Sequence, residues 1–289
     1  MSSYQPPRPP QSAQAAQSTQ NRPVPLAPKP RPVFDINTDY GQIDDKAFYE
    51  DPENSFLQYI TSVNIPCCVH EGNPNDILKA IRDAKAKCLV VGAHIGYPDP
   101  KNKGYQSIDI SAEDLSAWTL VQLGAFNALC KTMSVDCLHI RPHGALYSDM
   151  AKNKETALTI AKAVKAFDPW AILVMPLSPH TDAVAEEVGI QVYQELYLGK
   201  RYLKEGYQAV DKSSEHAELP PQAALEQVRR AVYRGQLSTD DGRIIETSCK
   251  TIHISPRLGD CIAAAKQVHH ITGEPMPMTL ATAGRSGWL

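Results

Sequence analysis

The fold can be inferred first from Cys88-Leu-Val-Val-Gly-Ala-His-Ile-Gly-Tyr-Pro-Asp99, a short apolar run that ends in glycines, a histidine and a Pro-Asp pair. The segment Leu89–Val91 suits a strand that is covered on both faces, as in parallel sheets packed between helices. Gly92 and Gly96 allow a ligand or another chain segment to come close, and Pro98 ends the hydrogen-bonded ladder. The stretch therefore predicts a buried strand that stops at a functional site.

The same pattern recurs elsewhere in the chain. Apolar runs also close on polar residues at Asp35-Ile-Asn-Thr-Asp39, at Cys67-Cys-Val-His70 and at His139-Ile-Arg-Pro-His-Gly-Ala-Leu-Tyr147. A parallel barrel gathers the C-terminal ends of its strands on one rim, where active sites are built. We therefore expect these polar residues to meet.

Strand and helix patterns alternate from residue 33 onward, which predicts an α/β fold with a parallel sheet. Helix starts are readable at Asn73-Pro74, at Ser111, and at Pro220-Pro221, and apolar residues at helical spacing also span 157–164. The seven predicted strands are Val33–Asn37, Ser62–Cys67, Leu89–Ala93, Cys137–Ile140, Ala171–Met175, Ile190–Gln194 and Thr251–Ile254.

A closed barrel is favoured over an open sheet, because polar residues end at least four strands and an open sheet would concentrate them at one switch point. We predict one barrel domain over residues 33–273. Residues 1–32 hold nine of the 23 prolines and are predicted to be a disordered Pro/Gln-rich tail. Residues 274–289 are predicted to be a flexible C-terminal tail. Arg22-x-x-Pro25-x-x-Pro28 has the form of a ligand for an SH3-type partner, or else is simply solvated.

Composition narrows the function classes. The net charge is −3, and residues 1–33 carry four basic residues and no acid, so the remainder is near −7 and disfavours nucleic-acid binding. No apolar run approaches a membrane span or the core of a signal peptide. The seven cysteines lack zinc-type spacing and suit buried thiols in a reducing compartment. We expect a cytoplasmic protein with no membrane or nucleic-acid partner.

Asp35, Asn37 and Asp39 share one parity, so all three face the same side of the first strand. Neighbouring carboxylates there suit a divalent cation, or a general base whose pKa is raised by the other carboxylate. The alternative is a strand-end turn that Asp39 and Gly41 shape.

His139, Arg141 and His143 also share parity, and they should point together. Arg141 suits a carboxylate or phosphate, and His143 suits proton transfer or metal ligation. Taken singly, such histidines are more often structural, but His70 and His94 sit at strand ends as well. No phosphate loop and no nucleophile elbow are present, so any nucleotide must bind by other means.

From Phe34 to about Ala265 the chain resembles the LamB/YcsF family, the A subunits of 5-oxoprolinase. The motifs that carry the resemblance are Asp35-Ile-Asn-Thr-Asp-Tyr-Gly41, Asn64-Ile-Pro-Cys-Cys-Val-His-Glu-Gly72, Gly92-Ala-His-Ile-Gly-Tyr-Pro-Asp99, Gln122-Leu-Gly124 and His139-Ile-Arg-Pro-His-Gly-Ala-Leu-Tyr147. The resemblance implies a seven-stranded (β/α) barrel of the glycoside hydrolase/deacetylase type. It also implies ATP-dependent opening of the 5-oxoproline lactam to glutamate, together with 5-oxoprolinase subunits B and C.

The resemblance also assigns residues. The catalytic set that it implies is Asp35, Asn37, Asp39, His70, His94 and His143. The residues that we assign to substrate binding are Tyr97, Asp99, Arg141, Tyr147 and Arg201. If a divalent metal is bound, the expected ligands are Asp35, Asp39, His70 and His94.

The chain departs from the family pattern at three places. Arg141 stands where the family usually has lysine, and Gln42 stands where it has an acid. The Cys-Val-His-Gly-Asp stretch of the last strand is replaced around His253-Ile-Ser-Pro-Arg257, which we interpret as loss of an imidazole and an acid at Ser255-Pro256-Arg257. A changed substrate or a loss of catalysis stays open. Two other functions are a metal-dependent deacetylase or amidohydrolase on the same barrel, and a catalytically silent scaffold or binding subunit.

Overall fold

The computed structural model describes residues 33–42, 56–206, 218–273 and 275. Most of the predicted barrel domain falls within these ranges. The predicted N-terminal tail, with its Arg22-x-x-Pro25-x-x-Pro28 segment, lies outside the described residues, and so does nearly all of the predicted C-terminal tail.

Seven parallel strands form a closed barrel, which confirms the predicted fold class. The strands are β1 (Asp35–Asp39), β2 (Ser62–Pro66), β3 (Val90–Ile95), β4 (Cys137–Pro142), β5 (Ile172–Pro176), β6 (Gln191–Tyr197) and β9 (Thr251–His253). Neighbours in the barrel follow chain order up to β6, and β9 then pairs with both β6 and β1 to close the ring. All seven predicted strands are present, with ends that differ from the prediction by up to three residues.

A short two-stranded segment outside the barrel precedes the last barrel strand. The strands β7 (Gln236–Ser238) and β8 (Ile244–Glu246) pair antiparallel in a separate two-stranded sheet. The sequence pattern did not predict it, because three-residue strands are too short to show a period of two.

Helices connect the strands. In the described ranges they are α1 (Pro74–Ala86), α2 (Ala112–Thr132), α3 (Gly144–Lys152), α4 (Lys154–Phe167), α5 (Thr181–Val188), α6 (Pro221–Arg234) and α7 (Cys261–Thr272), with a 3-10 turn at Phe56–Tyr59. None of these helices combines the length and the apolar character needed to cross a membrane.

The helix starts that carry a capping signal are confirmed. The Asn73 side chain accepts two backbone N–H bonds at the start of α1, and the Ser111 hydroxyl accepts one at the start of α2. Helix α6 begins at the second of the paired prolines and ends at Gly235 in the left-handed conformation. Helices α3, α5 and α7 were not predicted. The first two begin after His143 and His180, which supply no side-chain cap, whereas the Asp260 side chain caps α7.

The strands alternate between two kinds of surroundings. Residues of one parity, such as Ile36 and Ile140, are fully buried in the main apolar core beneath the helices. Residues of the other parity point into the barrel, where they are mostly polar. A small inner cluster of Ile172, Val174 and Tyr193 is separate from the main core. The core that stabilises the fold therefore lies outside the barrel wall, and the polar side chains lie inside it.

Candidate active site

Inward-facing side chains near the C-terminal ends of the strands form one buried polar group. Asp39 ends β1, His94 lies on β3, Arg141 on β4, Glu195 on β6, and His253 ends β9. His70 and His143 join them from the segments that follow β2 and β4. We call the group the polar chamber, defined by Asp39, His70, His94, Arg141, His143, Glu195 and His253.

Three imidazoles of the polar chamber form a cluster. His94 Nε2 lies 2.9 Å from His143 Nδ1, and the His70 ring stacks on the His143 ring with 4.2 Å between centroids. The outer nitrogens face backbone carbonyls: His94 Nδ1 donates to the Arg141 oxygen at 3.0 Å, and His143 Nε2 donates to the Lys103 oxygen at 2.9 Å. Burial lowers the pKa of all three rings, to about 4 for His143.

The glycines of the β3 motif make room for imidazoles. A Cβ on Gly92 would lie 2.1 Å from His139 Nε2, and a Cβ on Gly96 would lie 2.6 Å from His70 Nδ1. Gln122 holds Gly96 in place, since its amide accepts from the Gly96 N–H at 2.9 Å and donates to the Gly96 oxygen at 3.0 Å. The close approach of imidazole side chains to the β3 backbone therefore explains why glycine occupies positions 92 and 96.

Asp39 lies at the centre of the chamber. Its carboxylate is 3.4 Å from His94 Nε2, 3.4 Å from Arg141 Nη1 and 3.7 Å from His253 Nε2. Burial by itself raises the pKa of Asp39, but the neighbouring imidazoles and the guanidinium outweigh it and hold the pKa below its usual range. Asp39 is therefore an anion at neutral pH.

Arg141 reaches the chamber as one half of an ion pair. Its Nε and Nη2 donate to the two Glu195 carboxylate oxygens at 2.8 and 2.7 Å, and its guanidinium lies 4.9 Å from the centre of the Tyr147 ring. Glu195 also accepts from Asn37 at 3.0 Å. With Nη1 donating to Asp39 at 3.4 Å, all three guanidinium nitrogens are engaged, so the structure places Arg141 and Tyr147 in the chamber wall and does not present Arg141 as an open anion receptor.

The hydrogen bonds of Asn37 define the tautomer of His253. The Asn37 amide group donates to Glu195 and to Thr251, so its oxygen is the atom that faces Asn64 Nδ2 and His253 Nδ1. That oxygen only accepts, so His253 carries its hydrogen on Nδ1 and has a lone pair on Nε2. Burial lowers the pKa of His253 to about 4, and no described residue makes a hydrogen bond to Nε2. His253 is therefore a neutral base that faces Asp39.

Asp35 is expected beside Asp39, but the structure places them at opposite ends of β1, about 13 Å apart along the strand. The Asp35 carboxylate accepts hydrogen bonds from the hydroxyls of Thr61, Ser62 and Thr251. Burial raises its pKa to about 6. The structure does not bring Asp35 to the imidazole cluster, because a shared face says nothing about depth in the barrel.

Three residues that we assigned to substrate binding lie outside the chamber. The Tyr97 hydroxyl donates to Asp149 at 2.9 Å in a cavity of about 260 Å³ beside α2 and α3. Asp99 accepts from the backbone and side chain of Asn102 and shapes the loop after β3. Arg201 lines a different cavity of about 220 Å³ next to α6. Neither cavity is lined by a chamber residue.

Two of the departures from the family pattern contact each other. Arg257 Nη2 donates to Gln42 at 3.2 Å, and Arg257 Nη1 donates to the Tyr105 hydroxyl at 2.9 Å. The expected loss of an imidazole and an acid at the last strand stays a prediction, although His253 of β9 supplies an imidazole inside the chamber. The expected loss concerned the Ser255-Pro256-Arg257 segment, which follows β9.

The sequence patterns missed two members of the chamber. Glu195 lies one residue beyond the predicted end of its strand, which was set at Gln194. Arg141 follows a predicted buried strand that contains no acid. Because buried charges are paired, this arginine indicates a buried acid elsewhere in the chain. His253 shares parity with Thr251 within a predicted strand, and that parity would have placed it inside the barrel.

Comparison with known proteins supports the architecture. Residues 34–278 match the LamB/YcsF family. A 5-oxoprolinase A subunit from Thermus thermophilus is 34% identical over 220 residues, covering 76% of this chain and 88% of that protein. One from Staphylococcus aureus is 33% identical over 218 residues, covering 75% and 87%.

A solved structure agrees with these relatives. The crystal structure of a lactam utilization protein from Thermus thermophilus superposes with a TM-score of 0.72 at 32% identity, covering 87% of this chain and 97% of that one. From the match of residues 34–278 and the shared barrel, the chain belongs to the LamB/YcsF family.

Proposed function

We propose that this protein is the A subunit of an ATP-dependent 5-oxoprolinase, which opens the lactam of 5-oxoproline to glutamate together with subunits B and C. The observation that carries the proposal is the polar chamber, where Asp39 and four imidazoles converge inside the barrel. Relatives over most of the chain are named as 5-oxoprolinase A subunits.

The chamber supplies the groups that lactam hydrolysis requires. Water must lose a proton as its oxygen bonds to the carbonyl carbon, and the ring nitrogen must gain a proton as the C–N bond breaks. We assign to His253 Nε2, which carries a lone pair and lies 3.7 Å from Asp39, the role of accepting the first proton and returning it to the leaving nitrogen. Asp39, whose carboxylate lies 3.7 Å from the same nitrogen, offers a negative charge that stabilises the imidazolium formed in between.

We assign ATP use to the assembly of subunits. The sequence has no phosphate loop, so nucleotide handling is shared with or supplied by subunits B and C. The seven cysteines are all unpaired and five of them are buried, which fits a reducing cytoplasm as the place of the reaction.

A reconstituted assay tests this function. The full chain, mixed with purified subunits B and C, should release phosphate and glutamate only when 5-oxoproline is present. Replacing the chamber acid by Asp39→Asn should lower kcat by about 100-fold or more, because the variant no longer stabilises the imidazolium of His253 and general acid–base catalysis contributes about 10²–10⁴-fold. The matched control is Asp182→Asn, an exposed carboxylate that contacts Gln194 outside the chamber, and it should leave kcat unchanged.

Two results would contradict the proposal. One is a wild-type mixture that never couples ATP hydrolysis to 5-oxoproline while the subunits still bind one another, which would indicate a silent binding subunit. The other is an Asp39→Asn variant as active as wild type.

A metal-dependent deacetylase or amidohydrolase is the second candidate. The specific observation in its favour is the group of His70, His94 and His143, whose ligand atoms all lie within 4.8 Å of one another. Such an enzyme would cleave amides without ATP or partner subunits, and chelators would inhibit it. Activity of the isolated chain on acetylated amines separates this candidate from the first.

A further inference from the structure

The imidazoles of His94 and His143 form a pair held between two backbone carbonyls. His94 Nδ1 faces the Arg141 oxygen at 3.0 Å, and His143 Nε2 faces the Lys103 oxygen at 2.9 Å. A carbonyl oxygen can only accept, so each ring must carry a hydrogen on its outer nitrogen. When both rings are neutral, the two inner nitrogens, His94 Nε2 and His143 Nδ1, have only lone pairs to offer each other.

Those inner nitrogens are 2.9 Å apart. Two lone pairs at that distance repel, and the arrangement is stable only with a positive charge between or beside them. The charge is either a shared proton or a bound cation. A ring whose outer N–H donates to a backbone carbonyl is the usual state of a metal-binding histidine, since that bond sets both the tautomer and the orientation of the ring.

The surroundings favour a cation over a proton. Asp39 Oδ1 lies 3.4 Å from His94 Nε2 and offers a negatively charged ligand. His70 stacks on His143 with 1% of its surface exposed, and neither of its ring nitrogens has a hydrogen-bond partner within the described part of the chain. A shared proton would satisfy the pair but leave His70 unused.

We propose that His94, His143, Asp39 and His70 bind one divalent transition-metal ion of the Zn²⁺ class. Imidazoles with one carboxylate are the donor set that Zn²⁺ and its first-row neighbours prefer, whereas Mg²⁺ and Ca²⁺ prefer oxygen alone. The ligand set differs from the one expected from the sequence, since Asp35 is replaced by His143.

The spacing fits with small adjustments. Ligand atoms about 2.0–2.2 Å from a tetrahedral Zn²⁺ lie about 3.3–3.6 Å from one another. The separation of 3.4 Å between Asp39 and His94 already matches. The His94–His143 pair must open by about half an ångström, and His70 must turn its nearer nitrogen toward them. A bound ion would polarise an amide carbonyl, so the inference deepens the proposed function without depending on it.

Metal titration of the untagged full chain tests the proposal. After removal of metal by a chelator, Co²⁺ is added while visible absorption is followed, and Zn²⁺ is then used to displace it, with calorimetry as a second readout. We expect one Co²⁺ per chain, with the intense absorption of a low-coordinate nitrogen-ligated ion, and its loss on addition of Zn²⁺.

Variants locate the ion. His94→Ala and His143→Ala should each weaken binding by more than about 100-fold, because loss even of an outer partner of a ligand costs about 10–100-fold. The matched control is His270→Ala, which removes an exposed imidazole on α7 and should bind as wild type does. Asp35→Asn should also bind normally, since Asp35 lies about 13 Å further along β1. A weakened Asp35→Asn variant would favour the ligand set expected from the sequence and overturn ours.

Folding does not confound the outcome. If His94→Ala or His143→Ala fails to fold, thermal melting of wild type and His270→Ala decides instead: Zn²⁺ should raise both midpoints and a chelator should reverse the shift. Absence of Co²⁺ absorption and of any Zn²⁺-dependent shift in the wild type would overturn the proposal, as would equal affinity in folded His143→Ala. None of these readouts needs 5-oxoproline or partner subunits. A metal-loaded chain that never supports lactam hydrolysis would refute the proposed function alone.

Discussion

On the outer face of the barrel, Ile36 and Ile140 pack into the apolar core, whereas one position further along the same strands Asn37 and Arg141 both bind Glu195 in the interior. Both sets of side chains are almost fully buried. The outer set gains from removal of apolar surface from water, about 25 cal/mol per Å². The inner set gains little, since burying charged groups costs about as much as their pairing returns.

The difference separates stability from function within one set of strands. Replacing buried charge pairs by apolar side chains of similar volume is often neutral or stabilising, and the interior already holds one small apolar cluster, formed by Ile172, Val174 and Tyr193. The polar groups of the interior are therefore better explained by the reaction or the ligand that they serve. Substitutions on the outer face should therefore lower stability alone, whereas substitutions on the inner face should also affect function.

The largest expected effect is on the inner ion pair. Glu195→Gln should lower the free energy of unfolding by about 3–5 kcal/mol, because it leaves the Arg141 charge buried without its main partner. The double variant Arg141→Met with Glu195→Gln should recover much of that loss, since no orphaned charge remains. Urea unfolding of the single and double variants measures both. A single variant as stable as wild type would mean that water reaches the pair and that the interior is not closed.

The second largest expected effect is an increase in the free energy of unfolding, on removal of the Asp35 charge. The pKa of Asp35 is raised from 3.8 to about 6, so the folded state binds this proton more tightly than the unfolded chain. The group therefore stabilises the fold at low pH, and that stability is lost as pH rises through about 6. A shift of about two pKa units corresponds to about 3 kcal/mol.

Asp35→Asn should thus raise the free energy of unfolding at pH 8 by up to about 3 kcal/mol, and the gain should shrink as pH falls from 6 toward 4. Unfolding measured across pH 4–8 checks the sign. A variant that is less stable than wild type at pH 8 would show that the three hydroxyl donors outweigh burial.

The smallest effect is on the outer face. Ile140→Val removes one methylene from the apolar core and should cost about 0.5–1.5 kcal/mol, with no change in metal binding or in kcat. This variant is the counterpart of the interior variants, because a change confined to the outer face should lower stability without affecting the chamber. If Ile140→Val also changed the chamber's activity, the two faces would be coupled and their separation would not hold.

Much of the fold was predictable because its signals are local. The Asn73 cap lies within one turn of the groups that it satisfies, and the Leu89–Val91 run shows burial by itself. Helices α3 and α5 lack such a cap and were missed, and α7 was missed although the Asp260 side chain caps it. Of the site, the presence of Asp39, His94 and His143 on one rim followed from their position after apolar strands.

The sequence alone determined the seven strands, the helix starts at Asn73, Ser111 and Pro220-Pro221, and the family, since each depends on residues close together in the chain or on motifs read directly. Only the tertiary structure decided which buried groups are partners. Asn37 meets His253 across 216 residues, and Arg141 meets Glu195 across 54. Closure of the barrel brings β9 beside β1, and the depth of each side chain within it separates Asp35 from the chamber. The strand-end pattern favoured a closed barrel, but no local pattern encodes which buried groups pair across it or how deep each lies.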